Sequence, residues 1–222
     1  MRFARLRAQR WYYAHRGVDE PMRALVSSKL PTDKTPFDKA EFVALDIETT
    51  GLDVATAHML SIGWVIVGGG RVQLETAESY IVRPSKGVGD SASVHGLTDT
   101  IVRAGVEWGV VLDKVVSVMR GRILVVHHAG LDKALLDRMC LKRYGVRFPA
   151  PFIDTLELEL RRRRRKHHLE SASSLRLSDL RGEYGLPRYL AHDCLVDAIA
   201  TAELLIAMAR HRRATRLGDV LG

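Results

Sequence analysis

Stretches of apolar and β-branched residues in the first half of the chain are typical of β-strands. Segment 42–48 (FVALDIE) begins apolar and runs towards Gly51, which favours a strand followed by a turn. Apolar residues also dominate 59–67, and Gly68-Gly69-Gly70 then predicts a reversal into a third strand over 71–82. The three strands are predicted to form an antiparallel meander.

Helical spacing of apolar residues appears in the second half of the chain. It covers 106–119, 131–144 and 192–210, and a smaller helix is predicted at 175–184. Between these segments, 123–126 is wholly apolar, as in a strand covered on both faces, and 151–158 is predicted as a further short strand. This order predicts an α/β fold: a mixed five-stranded sheet, with an antiparallel meander and then crossover strands, flanked by helices.

The first forty residues differ in composition from the rest of the chain. They contain six arginines, an aromatic cluster at 11–13 and a proline-punctuated stretch at 31–36. We therefore predict a basic N-terminal helical arm and linker (1–40), a main domain (41–211) and a C-terminal tail (212–222). Interleaved arginines and aromatic residues can bind a single nucleic-acid strand. The alternative is a helix that packs across the back of the domain or docks a partner.

Composition narrows the class of protein. The chain has 222 residues, of which 46% are hydrophobic, and 34 Lys and Arg against 26 Asp and Glu give a net charge of +8. That charge favours polyanionic partners, nucleic acid or an anionic membrane surface. An apolar run of transmembrane length and a secretory signal are both lacking, so the expected location is the cytoplasm, with no membrane partner.

The two cysteines and a dense basic run do not by themselves indicate a specific catalytic or binding site. The two cysteines, Cys140 and Cys194, are too few for a disulfide framework or a structural zinc site and are predicted to be reduced core residues. The run Arg161 to Arg165, continued by Lys166 and two histidines, is predicted as a helix end or exposed loop. The positive charge of this run is explained either by exposure to solvent or by contact with the phosphates of a substrate.

Two carboxylates on the first strand are the strongest chemical signal. Because side chains alternate along a strand, Asp46 and Glu48 lie on one face while Val43, Leu45 and Ile47 share the other. Adjacent anions on an otherwise apolar strand repel and are costly to desolvate, so a cation between them, Mg²⁺ or Mn²⁺, explains the pair. The alternative is a strand end at which the acids reach solvent.

Further acidic residues are expected to join this pair. Asp132 lies in the first turn of a predicted helix, and Asp197 lies on the last helix, five positions after His192. His192 reaches the same site only from the loop that enters that helix, because five positions place two residues far apart around a helix. Four carboxylates on one cleft suit two cations about 4 Å apart, one activating the attacking water and the other stabilising the leaving oxygen of a phosphodiester. His192 is the candidate to accept the proton from that water.

The motifs containing these residues resemble those of a known family. Residues 46–52 (DIETTGL), 127–132 (HHAGLD) and His192 with Asp197-Ala198 look like the three exonuclease motifs of the DEDDh 3'–5' exonucleases, the family that includes the proofreading epsilon subunit of bacterial DNA polymerase III. Segment 94–98 (VHGLT) is similar to a further stretch of those proteins. The resemblance covers roughly residues 40–210. Relatives commonly have Asn at the position of His128 and Phe at that of Leu131.

The resemblance implies a ribonuclease-H-like fold and release of nucleoside 5'-monophosphates from a 3' end. It assigns Asp46, Glu48, Asp132 and Asp197 to two Mg²⁺ or Mn²⁺ ions and His192 to the role of general base. For the terminal nucleotide it implies contacts from a set of residues in two segments, namely Thr49, Gly51, Leu52, Asp90 and His95.

Three functions follow as hypotheses. The first is a metal-dependent 3'–5' exonuclease acting on single-stranded or frayed DNA, with a DNA polymerase or another replication or repair protein as a further partner. The second keeps the chemistry and changes the substrate to RNA, as in RNase T-like and oligoribonuclease-like enzymes. The third, a non-catalytic nucleic-acid-binding scaffold, is disfavoured because all five catalytic residues are present.

Overall fold

The predicted meander forms the centre of a larger mixed sheet in the computed structural model, which describes residues 3–83, 104–165, 174–190 and 192–221. Within these residues the sheet has six strands in the order β4-β3-β2-β1-β5-β6. The strands are β1 (Phe42–Thr49), β2 (Met59–Gly68), β3 (Arg71–Arg83), β4 (Val106–Glu107), β5 (Ile123–Val126) and β6 (Phe152–Asp154). β1, β2 and β3 pair antiparallel, whereas β5 joins β1, and β6 joins β5, in parallel.

Helices cover both faces of the sheet. They are α1 (Ala4–His15), α2 (Met22–Ser27), α3 (Trp108–Val118), α4 (Ala129–Tyr144), α5 (Thr155–Arg165), α6 (Leu177–Glu183), α7 (Cys194–His211) and α8 (Leu217–Leu221), with a 3₁₀ turn at Phe37–Lys39. Side chains cap the starts of α3 and α7: Glu107 accepts from the first backbone N–H groups of α3, and Asp193 accepts from those of α7. The predicted α/β architecture, a mixed sheet flanked by helices, is confirmed.

The alternation of side chains along β1 divides the core into two layers. Val43, Leu45 and Ile47 pack in one layer with residues of α1 to α4. Phe42 and Ala44 face the other layer, which contains the apolar residues of α7, α6 and α8. The face that carries Asp46 and Glu48 is therefore the face that α7 covers, as the period of two along a strand requires.

Two details of the strand prediction were wrong. The sheet has six described strands rather than five, because Val106–Glu107, expected to begin a helix, pairs with the end of β3 through Val82 and Val106. The predicted strand 151–158 ends at Asp154. The Asp154 carboxylate accepts the backbone N–H of Leu156 at 3.0 Å and so begins helix α5.

The N-terminal segment contributes to the core. Tyr13 of α1 and Met22 and Leu25 of α2 are buried in the same layer as Val43. At the other end of the chain, Leu217 of α8 is fully buried in the second layer. These contacts favour the interpretation of 1–40 as a segment packed on the domain. The boundaries at residues 40 and 211 stay predictions.

Two smaller expectations concern the membrane and the cysteines. Among the described residues, no helix combines the length and the apolar character needed to cross a lipid bilayer. Cys140 and Cys194 are both free and buried, as predicted.

Candidate active site

Three carboxylates from two elements meet on the α7 side of the sheet. Asp46 and Glu48 come from β1, and Asp197 comes from the first turn of α7. Each offers a ligand oxygen, and these oxygens all lie within 4.8 Å of one another. The alternation along β1 and the placement of α7 thus bring together residues that are about 150 positions apart in the chain.

Asp132 is close to this group without belonging to it. It lies in the first turn of α4 and is 6% exposed. Burial, followed by the charges of Asp154 and Glu48, raises the pKa of Asp132 to about 7. Burial also raises the pKa of Asp46, and the negative charges of Asp132, Glu48 and Asp197 raise it further. Asp132 is therefore coupled electrostatically to Asp46 and Glu48.

The chemistry of these donors fits a hard divalent cation. Carboxylate oxygens are the ligands that Mg²⁺ and Mn²⁺ prefer. Burial raises the pKa of Asp197 as well, so three of the acids are held where their charged forms are disfavoured. A cation among these oxygens would compensate that cost.

His192 stands beside the acids in the loop that enters α7. Its backbone has a positive φ of 71°, and its N–H donates to Asp197 Oδ2 at 2.9 Å. Its side chain is exposed and lines a cleft of about 810 Å³ together with Asp46 and Asp197. The structure thus places His192 in the loop position that the sequence spacing required.

Gly63 allows α7 to approach the sheet, a role that the sequence analysis missed. Gly63 pairs with Asp46 across the β1–β2 ladder. A Cβ atom at this position would lie 2.5 Å from the backbone nitrogen of Leu195, in the first turn of α7. The available signal was a glycine in the interior of a strand, which often marks a close approach of another backbone.

Asp154 positions the helix that carries Asp132. Its Oδ1 accepts the N–H of His128 at 2.9 Å, and its Oδ2 accepts the N–H of Ala129 at 2.8 Å, while it also begins α5. His128 has a φ of 73°, a left-handed conformation that Asn and His adopt more readily than most residues. This geometry explains why a histidine is accommodated where relatives have Asn. An Asp between an apolar run and a helix was the missed signal.

Arg181 fixes the loop that leads to His192. Its guanidinium is 1% exposed and donates to the carbonyl oxygens of Pro187 and Ala200 and to Glu203. The ring of Tyr189 lies over it, 4.3 Å from the guanidinium carbon. Arg181 also lines the cleft, and its charge opposes the rise in the pKa of Asp197. Local sequence patterns gave no signal for this buried arginine.

His127, part of the second motif, is bound to the scaffold. Its Nδ1 is 2.8 Å from Thr155 Oγ1, and its Nε2 is 2.9 Å from the carbonyl oxygen of Leu175. Burial lowers the pKa of this imidazole. Both ring nitrogens are thus used in joining β5 to the wall of the cleft.

The residues predicted to contact the terminal nucleotide are only partly described. The turn after Glu48 is closed by a hydrogen bond from Thr49 Oγ1 to the carbonyl oxygen of Gly51 at 2.8 Å, and Leu52 is 88% exposed. Asp90 and His95 lie outside the described residues. The turn at 49–52 directly follows Glu48 in the chain and is therefore adjacent to the acidic group.

The described part of the basic run at 161–166 is the end of helix α5, and most of it is paired. Arg161 binds Glu157, Arg162 binds Glu159, and Arg163 binds both Glu159 and Glu183. Arg164 and Arg165 are exposed, and Lys166 lies outside the described residues. Because Glu159 is fully buried, much of this positive charge serves the packing of α5.

Several known proteins are similar to this chain. It is 29% identical over 178 residues to the PolC-type DNA polymerase III of Thermotoga maritima, a match that covers 79% of this chain and 12% of that protein. It is 32% identical over 196 residues to a DNA polymerase III subunit epsilon-like protein of Rhodobacter capsulatus, covering 85% of this chain and 27% of that protein. The chain therefore spans only a minor part of these relatives.

A solved structure has the same fold. Exonuclease I of E. coli, in complex with single-stranded DNA, superposes with a TM-score of 0.64 at 16% identity, covering 79% of this chain and 42% of that one. A family model described as Exonuclease (RNase_T) matches residues 43–205, and thus includes Asp46, Glu48, Asp132 and Asp197. The resemblance to the DEDDh exonucleases is confirmed. The chain belongs to the RNase T-type exonuclease family.

Proposed function

We propose that this chain is a metal-dependent 3'–5' exonuclease that releases nucleoside 5'-monophosphates from the 3' end of single-stranded or frayed DNA. The observation that carries the proposal is the group formed by Asp46, Glu48 and Asp197, whose oxygens lie within 4.8 Å of one another. This group stands beside His192 in an open cleft, in a chain that belongs to an exonuclease family.

Asp46, Glu48, Asp132 and Asp197 are proposed to hold two divalent ions, Mg²⁺ or Mn²⁺. When bound, such ions lower the pKa of the attacking water and stabilise charge on the phosphate and the leaving oxygen. The acids supply the negative charge that binds them. Burial raises the pKa of Asp132 to about 7, so cation binding competes there with protonation.

His192 is proposed as the general base. Its imidazole borders the cleft and is exposed, so a proton taken from the attacking water can pass to solvent. The hydrogen bond from its backbone N–H to Asp197 fixes the loop relative to the acids. Arg181 acts as a positioning residue, because it binds the carbonyl oxygen of Pro187 in the same loop.

The terminal nucleotide is proposed to lie against the turn at 49–52, with contacts from Thr49, Gly51 and Leu52 and from the segment that contains Asp90 and His95. A side chain as exposed as Leu52 can pack on a sugar or base. The names of the relatives, which are DNA polymerase III proteins, favour DNA as substrate and a DNA polymerase or another replication or repair protein as partner.

Digestion of a 3'-labelled and a 5'-labelled single strand tests the reaction. With Mg²⁺, the protein should shorten the strand from its 3' end, and EDTA should stop it. Asp46→Asn should lower the rate by about 10³-fold or more because cation binding is lost, and His192→Gln by about 10²- to 10⁴-fold because the proton acceptor is lost. His211→Gln, near the other end of α7, is the matched control and should keep full activity.

Matched RNA and DNA strands decide between the first two hypotheses. Faster digestion of RNA would favour the exoribonuclease alternative. Calorimetry with Mn²⁺ tests the scaffold hypothesis, since a scaffold has no need of a tight divalent site. Digestion by Asp46→Asn at the wild-type rate would contradict the proposed metal site.

A further inference from the structure

Helix α1 is fixed to the domain through one face only. The buried guanidinium of Arg10 donates to the carbonyl oxygens of Leu25, Val26 and Ser28, at the end of α2. Tyr13, 8% exposed, accepts a hydrogen bond on its hydroxyl from the N–H of Arg147, which follows α4. These contacts hold the helix on the domain.

The opposite face of α1 presents two large aromatic side chains to solvent. Trp11 is 65% exposed and Tyr12 is 52% exposed. At 100° per residue, Trp11 and Tyr12 lie on the middle of the exposed arc, with Arg7 on one side of them and Arg5 and Arg16 on the other. We call these five residues the α1 face.

Charge on the α1 face is of one sign. The chain has no acidic residue before Asp19, and Arg5, Arg7 and Arg16 are all exposed. Within the described part of the chain, none of these three arginines forms an ion pair, whereas Arg16 lies over the ring of Tyr12 at 5.7 Å. This differs from α5, where Arg161, Arg162 and Arg163 are paired with glutamates.

Exposed aromatic rings between unpaired arginines are suited to binding single-stranded nucleic acid. Bases of a single strand stack on aromatic rings, and its phosphates bind arginine, without any requirement for sequence. We propose that the α1 face binds single-stranded nucleic acid outside the catalytic cleft, with bases on Trp11 and Tyr12 and phosphates on Arg5, Arg7 and Arg16.

A groove lies between α1 and α4. It has a volume of about 380 Å³ and is lined by Phe3, which precedes α1, by Leu6 and Gln9 of α1, and by Lys133, Asp137 and Phe152. Lys133 directly follows Asp132, and its ammonium lies over the Phe152 ring at 5.8 Å. Lys133 is also paired with Asp137 at 3.0 Å. In the proposal, a long strand whose 3' end lies at the acids runs along this groove to reach the α1 face.

The inference deepens the proposed function, because the strand on the α1 face is the substrate upstream of the bond to be cut. The inference is tested by measuring the binding of single strands to the protein in EDTA, a measurement that does not depend on catalysis. The probes are fluorescent oligo(dT) strands of about 30 and about 4 nucleotides, measured by anisotropy, since accessory stacking requires a strand long enough to reach α1.

The variants separate stacking from charge. Trp11→Ala with Tyr12→Ala should weaken binding of the long strand by about 25-fold or more, since the loss of each stacked base costs about fivefold or more. Arg5→Gln, Arg7→Gln and Arg16→Gln together should reduce the slope of log affinity against log salt by about 2, about 0.7 for each phosphate contact. Arg71→Gln with Leu74→Ala, exposed on β3, is the matched control and should change neither quantity.

Cleavage of the short strand in Mg²⁺ should be unchanged in all these variants, and melting curves check that each one folds. Wild-type affinity of the Trp11/Tyr12 variant for the long strand would overturn the inference, whatever else the α1 face binds. If the wild type digests the strand in Mg²⁺ but the α1-face variants bind the long strand as the wild type does, this inference is overturned and the proposed function stands. If the variants bind the long strand more weakly but the wild type digests nothing, the proposed function is overturned and this inference stands.

Discussion

Asp132 and Asp46 are acids placed where ionisation is costly. Asp132 is 6% exposed, and its pKa of about 7 reflects burial first and the charges of Asp154 and Glu48 second. Burial and four nearby carboxylates raise the pKa of Asp46 in the same way. The fold therefore contains one acid, Asp132, that binds a proton near neutral pH when no cation is present, and a second, Asp46, whose pKa is raised.

The stability of the metal-free protein should consequently fall as the pH rises. The pKa of Asp132 is 3.8 in a model peptide and about 7 in the fold, so the folded state binds the extra proton between these values. The stabilisation is complete below pH 4 and is lost as the pH rises through 7, a loss of up to about 4 kcal/mol in the free energy of unfolding. Urea unfolding in EDTA over this range measures the slope.

Asp132→Asn should flatten this pH dependence and stabilise the metal-free protein at pH 8, because the amide carries no charge to desolvate. Asp38→Asn, at an exposed position in the 3₁₀ turn, is the control and should leave the slope unchanged. Equal slopes in Asp132→Asn and the wild type would show that Asp132 is not the group responsible.

At the scale of elements, the site depends on how closely α7 lies against the sheet. Asp46 and Gly63 are paired on β1 and β2, and the first turn of α7 passes directly over Gly63. Asp197 lies in that turn. Distance between the helix and the strand therefore sets the distance between the carboxylates.

Gly63→Ala should displace α7, because the added methyl group would stand 2.5 Å from a backbone nitrogen that cannot rotate away. We expect a loss of about 1–3 kcal/mol in the free energy of unfolding. Weaker Mn²⁺ binding in calorimetry should accompany it, since Asp197 moves away from Asp46.

Gly182→Ala on α6 is the matched control. A Cβ atom there would meet no atom within 4 Å, so this variant should be neutral or more stable by about 0.4–1 kcal/mol. Normal Mn²⁺ affinity in Gly63→Ala would contradict the role assigned to this glycine.

At the scale of the whole molecule, the N-terminal segment and the sheet form one packed unit. Leu25 of α2 is fully buried in the layer that contains Val43 and Leu45. The hydroxyl of Ser28 also accepts the backbone N–H of Gly121 at 3.0 Å, which ties the segment to the loop after α3. We therefore expect this segment to unfold together with the sheet.

Leu25→Ala should lower the free energy of unfolding of the entire domain by about 2–5 kcal/mol, as truncation of a fully buried leucine does. Leu141→Ala, the same change at a position that is 44% exposed on α4, should cost far less. Denaturant unfolding followed by circular dichroism measures both. A cost for Leu25→Ala as small as that for Leu141→Ala would favour the separate arm that the sequence composition predicts for 1–40.

Features with a local cause were predictable from the order of residues. Alternation along 42–48 placed Asp46 and Glu48 on one face, and the apolar spacing predicted the meander, the helices and the loop position of His192. The motifs then predicted the family. Each of these features depends on residues a few positions apart, so a linear pattern contains the necessary information.

Features that depend on distant contacts required the folded chain. The two-residue strand β4 exists because Val106 pairs with Val82, and helix α5 begins where Asp154 caps two helices at once. The approach of α7 to Gly63 and the packing of α1 against the core join residues that the chain separates widely. Such contacts arise only when close packing brings together side chains and backbone from different elements, which no local pattern encodes.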